Sequence, residues 1–123
     1  MAWSLDARIG LQLVEDEAGL AAALAKGPPA AVLRAGPAPE GLPEGAVAVQ
    51  GFAPVMPHQA GCACCGGRSP AAVALDLLFQ ARLRNRCRWF ERVVALADTD
   101  PARTMLREAL AADPVTAARF RAA

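Results

Sequence analysis

Three times in the second half of this chain, a side chain that caps helices is followed directly by proline: Ser69-Pro70, Asp100-Pro101 and Asp113-Pro114. Each pair fits a helix start. The side-chain oxygen accepts from first-turn N–H groups, and proline takes the first helical position, where its missing N–H loses no bond. The pairs predict helices over 70–86, 101–111 and 114–121. Between the first two, Glu91 to Ala97 is a short run of strand character. Helices pinned at these points leave strand–helix alternation as the natural organisation.

The first half reads the same way. From Arg8 to Val14, Ile9, Leu11 and Leu13 alternate with Gly10, Gln12 and Val14, a strand with a period of two. The acidic run Glu15-Asp16-Glu17 then suits a helix start, because carboxylates meet the positive end of the helix dipole. Leu20, Ala23 and Leu24 keep helical spacing, and Gly27-Pro28-Pro29 stops the helix. Strands are expected again at 30–34 and 46–52. The expected fold is α/β: a small parallel or mostly parallel sheet of about four strands flanked by helices, with right-handed connections. It forms one domain over residues 1–123, with a Pro/Gly-rich loop at 36–45 and a cysteine-bearing loop at 53–67.

Composition limits what such a domain does. Hydrophobic residues are 54% of the chain, but aromatics are only 5% and tyrosine is absent, so the core is expected to be lean. A formal net charge of +1 provides no global field to attract nucleic acid or an anionic membrane. No N-terminal leader pattern and no long apolar run is present, and a cytoplasmic location is expected. Four cysteines in a reducing compartment read as thiols or metal ligands and not as a disulfide framework.

Three of those cysteines lie in Gly61-Cys62-Ala63-Cys64-Cys65-Gly66-Gly67. Cys62 and Cys65 have the two-residue gap that lets both sulfurs reach one tetrahedral ion, and Cys64 adds a third soft ligand. The helix expected from Ser69 places a positive dipole end nearby, which favours thiolate. The expected metal is zinc or another soft divalent ion. A fourth ligand has two candidates, His58, the only histidine, and Cys87, which is remote in sequence. The competing reading is a redox dithiol at Cys62 and Cys65; the third thiol argues against it, because Cys64 beside Cys65 invites strained or mixed disulfides. A non-catalytic interaction subunit is a further alternative.

The Gly-Cys-Ala-Cys-Cys turn resembles the G-C-x-C-C mark of the CobW-type metallochaperone GTPases (the CobW/HypB/UreG class), where it lies between a strand and a helix. Glu91-Arg92-Val93-Val94-Ala95-Leu96-Ala97-Asp98-Thr99-Asp100-Pro101 is similar to that family's DRVVIETTGLADP, shortened and without the Glu-Thr-Thr-Gly portion. Leu110 to Arg121 is similar to the family's segment just before its next strand. The likeness covers residues 61–121 and implies part of a P-loop GTPase fold, with Cys62, Cys64 and Cys65 as metal ligands. GTP hydrolysis does not carry over. The chain has no Gly-Lys-Ser/Thr phosphate loop, its single Lys26 falls at a helix end, and no Asn-Glu-Phe-Gly stretch precedes the cysteine turn. No catalytic residue and no bound nucleotide are expected. The resemblance implies a GTPase-deficient metal carrier, or a partner of a full-length CobW-type GTPase or of a metal-requiring client, with a degenerate remnant as the third possibility.

Two other features have simpler readings. Arg82, Arg84, Arg86, Arg88 and Arg92, with Trp89-Phe90, form the most basic stretch and could stack on bases. On a helix those arginines scatter around the axis, and cations at a helix C-terminus complement the dipole, so no nucleic-acid partner is expected. Asp98, Thr99 and Asp100 could hold Mg²⁺, but a turn with Asp100 capping Pro101 accounts for them.

Overall fold

The computed structural model describes residues 6–55 and 68–123. Its elements run β1 (Ile9–Val14), α1 (Glu17–Ala25), β2 (Ala30–Ala35), β3 (Ala46–Phe52), α2 (Pro70–Leu83), β4 (Arg92–Leu96), α3 (Asp100–Ala112), α4 (Pro114–Arg119) and β5 (Phe120–Ala122). The fold is α/β. The five strands form one sheet in the order β3-β2-β4-β1-β5, and every neighbouring pair is parallel. Among the described residues no helix is long and apolar enough to cross a membrane.

A parallel sheet needs cover on both faces, and the alternation within each strand divides the side chains between them. On one face Val14, Ala30, Val32, Val94 and Leu96 meet Leu20, Ala23 and Leu24 of α1. On the other, Ile9, Leu11, Ala31, Leu33, Val93, Ala95 and Phe120 meet Leu75 and Leu78 of α2 and Ala102 and Leu106 of α3. Leu33, Leu75 and Leu106 are wholly buried, each contributing roughly 1.5–3 kcal/mol. The lean composition is met by alanines, with Ala30, Ala31, Ala71, Ala72, Ala95, Ala97 and Ala102 all fully buried.

The caps work largely as the sequence predicts. Ser69 accepts from the Ala72 N–H at 3.2 Å, and Asp113 accepts from Val115 and Thr116 at 3.1 and 3.0 Å. At the third site the cap is Thr99, not Asp100. The Thr99 hydroxyl accepts from Ala102 at 3.3 Å, while Asp100 is already the first helical residue and pairs with Arg103.

Two helices end earlier than their sequence predicts. α2 stops at Leu83 rather than 86 because Asn85 adopts a left-handed conformation (φ 55°). Asn85 N–H then bonds the Arg82 carbonyl and Arg86 N–H the Ala81 carbonyl, a Schellman closure. α4 stops at Arg119, because Phe120 to Ala122 pair with Ile9 to Leu11 as a fifth strand. Burial of Phe120, edge-on to Phe79 at 6.2 Å, decides that local contest.

Parallel neighbours β2 and β3 are joined by the Pro/Gly-rich segment 36–45 without a helix. Gly51 makes the return possible, since a Cβ there would lie 2.3 Å from the Gly36 carbonyl oxygen and 2.8 Å from the Ala38 nitrogen. Register along β2 and β3 shifts once, with Ala30 opposite Ala46 and Ala31 opposite Ala48, leaving Val47 as a bulge.

Candidate functional site

The sequence places its site between β3 and α2. Cys62, Cys64, Cys65 and His58 lie outside the described residues. What the structure defines is the frame, from Val55 on the outgoing side to Arg68 on the return. In an all-parallel sheet the segment following a strand leaves from the carboxyl end, where open α/β sheets bind their ligands. Gly36, Pro37, Gln50, Phe52, Ala53 and Pro54 help to line a hollow of about 450 Å³ where β2 and β3 run out. A second, also about 450 Å³, lies between Ser69 and α3, bordered by Asp100, Thr104, Met105 and Glu108.

The return is fixed by charge. Arg68 Nε donates to Asp113 Oδ2 at 2.8 Å and Nη2 to Asp113 Oδ1 at 3.1 Å, while Nη1 and Nη2 also reach the Asp76 carboxylate. Arg119 Nη1 stands 3.5 Å from Asp76 Oδ1. One guanidinium thus ties the residue before the Ser69 cap to α2 itself and to the cap of α4. The bonds from Arg68 hold the Asp113 carboxyl below its ordinary range, and the two carboxylates raise Arg68 further above its own. This clamp was not read from the sequence, since Asp76 and Asp113 are 8 and 45 residues away from Arg68.

Cys87, the remote candidate ligand, follows the Schellman turn at the far end of α2. It is partly buried and packs against the larger core cluster. Burial pushes its thiol above the usual range, with Arg82 pulling the other way. Among the described residues no group of three or more His, Cys, Asp and Glu side chains is placed to hold a metal.

The first strand–helix turn is acidic. Asp16 caps α1 by accepting from the Gly19 N–H at 2.6 Å, and Glu17 pairs with Arg34 of β2. Lys26 is the C-cap of α1, at the helix end as its sequence position predicts.

The basic stretch is divided among separate tasks. Arg92 Nε and Nη1 donate to the carbonyls of Pro28 and Ala23 at 2.8 and 3.0 Å, with Nη2 near Leu24, so this β4 residue caps the end of α1. Arg82 stacks on Trp89, with Cζ 3.7 Å from the ring centroid. Phe90 is 1% exposed and belongs to the core, so it offers no surface to a base. Asp76, Phe79 and Arg82 follow one another at three-residue spacing on α2, the one signal in the sequence that could have indicated a shared face. The chain matches no family model, no curated protein and no solved structure.

Proposed function

We propose that this chain binds zinc, or another soft divalent metal, through the thiolates of Cys62, Cys64 and Cys65. In this reading it is a CobW-like cytoplasmic metal carrier, or the partner of a full-length GTPase of that type or of a metal-requiring client, and it hydrolyses no nucleotide. The observation that carries the reading is position: β3 runs out at the carboxyl end of an all-parallel sheet, α2 is the next element, and the cysteine turn lies between them in the sequence. The order strand, cysteine segment, helix, strand also agrees with the resemblance. α2, capped by Ser69, begins shortly after Cys65 in the sequence, and a helix N-terminus following a cysteine turn favours thiolate.

The acidic turn after β1 supports the absence of nucleotide chemistry. A helix N-terminus receives phosphate through free N–H groups and a positive dipole. Here the Asp16 carboxylate occupies the Gly19 N–H, with Glu15 and Glu17 on either side. A phosphate would meet like charge. For the fourth ligand, Cys87 follows the far end of the 14-residue α2, at the opposite end of that helix from the cysteine turn in the sequence, which favours His58.

The same dipole serves thiol exchange, so a Cys62/Cys65 dithiol is the second reading. Elemental mass spectrometry on anaerobically purified protein separates the two. Near-stoichiometric zinc that disappears in a Cys62→Ser, Cys65→Ser double variant is expected. A protein that stays empty after zinc challenge and titrates as a reversible dithiol would replace the metal reading with the redox one.

A further inference from the structure

At the amino end of the sheet a hollow of about 240 Å³ opens between the start of β1, the last turn of α2 and the end of α4. Arg8, Arg82 and Arg119 border it, and Ile9 and Phe79 supply apolar wall. The three cations are compensated unequally. Arg8 is gripped by Asp6, with Nε 3.0 Å from Oδ1 and Nη2 2.8 Å from Oδ2. Arg119 shares Asp76 with Arg68 at a longer 3.5 Å. Among the described residues Arg82 has no carboxylate within ion-pair distance.

Arg82 is held by other means. Its Nη1 donates to the Phe90 carbonyl at 2.8 Å, and its Nε is buried without an acceptor. The guanidinium lies against Trp89 (3.7 Å), Phe90 (5.5 Å) and Phe79 (5.9 Å), and Arg119 lies 4.2 Å over the same Phe79 ring. Ring quadrupoles recover part of what a cation loses on leaving water, but a charge-assisted bond to an oxyanion recovers more. The end of α2 offers less opposition than a bare helix terminus, because the N–H groups of Arg84, Asn85 and Arg86 already bond its last carbonyls. Arg84, Arg86 and Arg88 follow in the same stretch, all exposed, and Glu91 is the next acid after Arg82 in the sequence.

We propose that this hollow is an oxyanion site, binding inorganic phosphate or the phosphate of a small monoester between Arg82 and Arg119, with Phe79 and Ile9 facing any apolar body the phosphate carries. Arg guanidinium and phosphate are matched in shape as well as charge. The site lies at the opposite end of the sheet from the carboxyl end of β3 and is independent of the metal reading.

Trp89 is the reporter. In a Trp3→Phe background, where Trp89 is the remaining tryptophan, the protein is titrated with inorganic phosphate and with phenyl phosphate at constant ionic strength, with sodium chloride as control. A saturable change in Trp89 emission with phosphate, unmatched by chloride, is expected. Arg82→Gln and Arg119→Gln should each weaken it at least about tenfold, and Arg107→Gln, away from the hollow, should leave it unchanged. Tighter binding of phenyl phosphate assigns the site to an organic monoester, and equal binding to free phosphate. An identical response to chloride, or a folded Arg82→Gln protein that binds phosphate like the parent, overturns the proposal. Should Arg82→Gln fail to fold, ³¹P line broadening with the Arg119→Gln variant decides in the same way.

Discussion

The two ends of the parallel sheet differ in charge. Where strands run out, the chain turns through Glu15-Asp16-Glu17 after β1 and Asp98-Thr99-Asp100 after β4, with Arg34 and Arg103 as exceptions; where strands begin, it arrives through Arg8, the Arg84 to Arg88 stretch and Arg119, with Asp6, Glu44 and Glu91 as exceptions. A net charge of +1 conceals this separation. Read as a sum, the sequence excludes a field; placed on the sheet, the same residues make one end acidic and the other rich in guanidinium groups. The carboxyl end is poorly suited to phosphate. The amino end is where an anion would find partners.

If close backbone approach sets the turn after β2 and guanidinium bonds set the clamp and the end of α1, substitutions should separate them. The largest effect belongs to Gly51→Ala, which drives a Cβ into the backbone of residues 36–38; a loss of about 3 kcal/mol by urea denaturation is expected, and a loss under 1 kcal/mol would show that the turn yields easily. Arg68→Ala leaves Asp76 and Asp113, 25% and 12% exposed, without their main partner. It should cost about 2–3 kcal/mol, less than a fully buried pair because solvent screens both.

The Arg68 clamp also carries a pH signature. Asp113 has its pKa lowered in the folded state, so its stabilisation is fully present above the unfolded value near about 4 and fades as pH falls through the lower folded value. Arg68→Ala should remove that part of the acid dependence, and an unchanged acid-unfolding curve would deny the pair its role. At the amino end, Arg92→Ala uncaps α1 and should cost about 1–2 kcal/mol. Asp16→Ala, which removes one N-cap bond, should cost about 1 kcal/mol. If hydrogen exchange in α1 responds to Asp16→Ala and not to Arg92→Ala, Arg92 does not cap the end of α1.

Much of the fold was legible because local chemistry dictated it. Ser69-Pro70 and Asp113-Pro114 announce their helices, and the apolar run 46–52 is a strand with the bounds expected. Errors came where tertiary contact overruled local preference. Phe120-Arg121-Ala122 is compatible with a helix and becomes a strand because Ile9, Gly10 and Leu11 offer an edge and Phe120 a place in the core. Asn85 stopped α2 through a left-handed turn that an arginine-rich context disguised. For the site, the sequence offers a cysteine spacing that suggests a chemistry, and the structure describes only the strand before it and the helix after it. The Arg68 clamp and the Arg82 stack involve partners too far apart, or too dependent on helix packing, for spacing to reveal.

The strand order has a consequence for how the chain comes to be folded. β4 sits between β1 and β2, with Val93 opposite both Leu11 and Ala31. Nothing in the first half joins β1 to β2 directly, so the sheet waits for a strand from the second half before either face has a core to close over. Such long closures are slow. During synthesis the ribosome must release the chain past Leu96 before β1 can join the β2–β3 pair, and a fragment ending at Val55 should leave β1 open to protease.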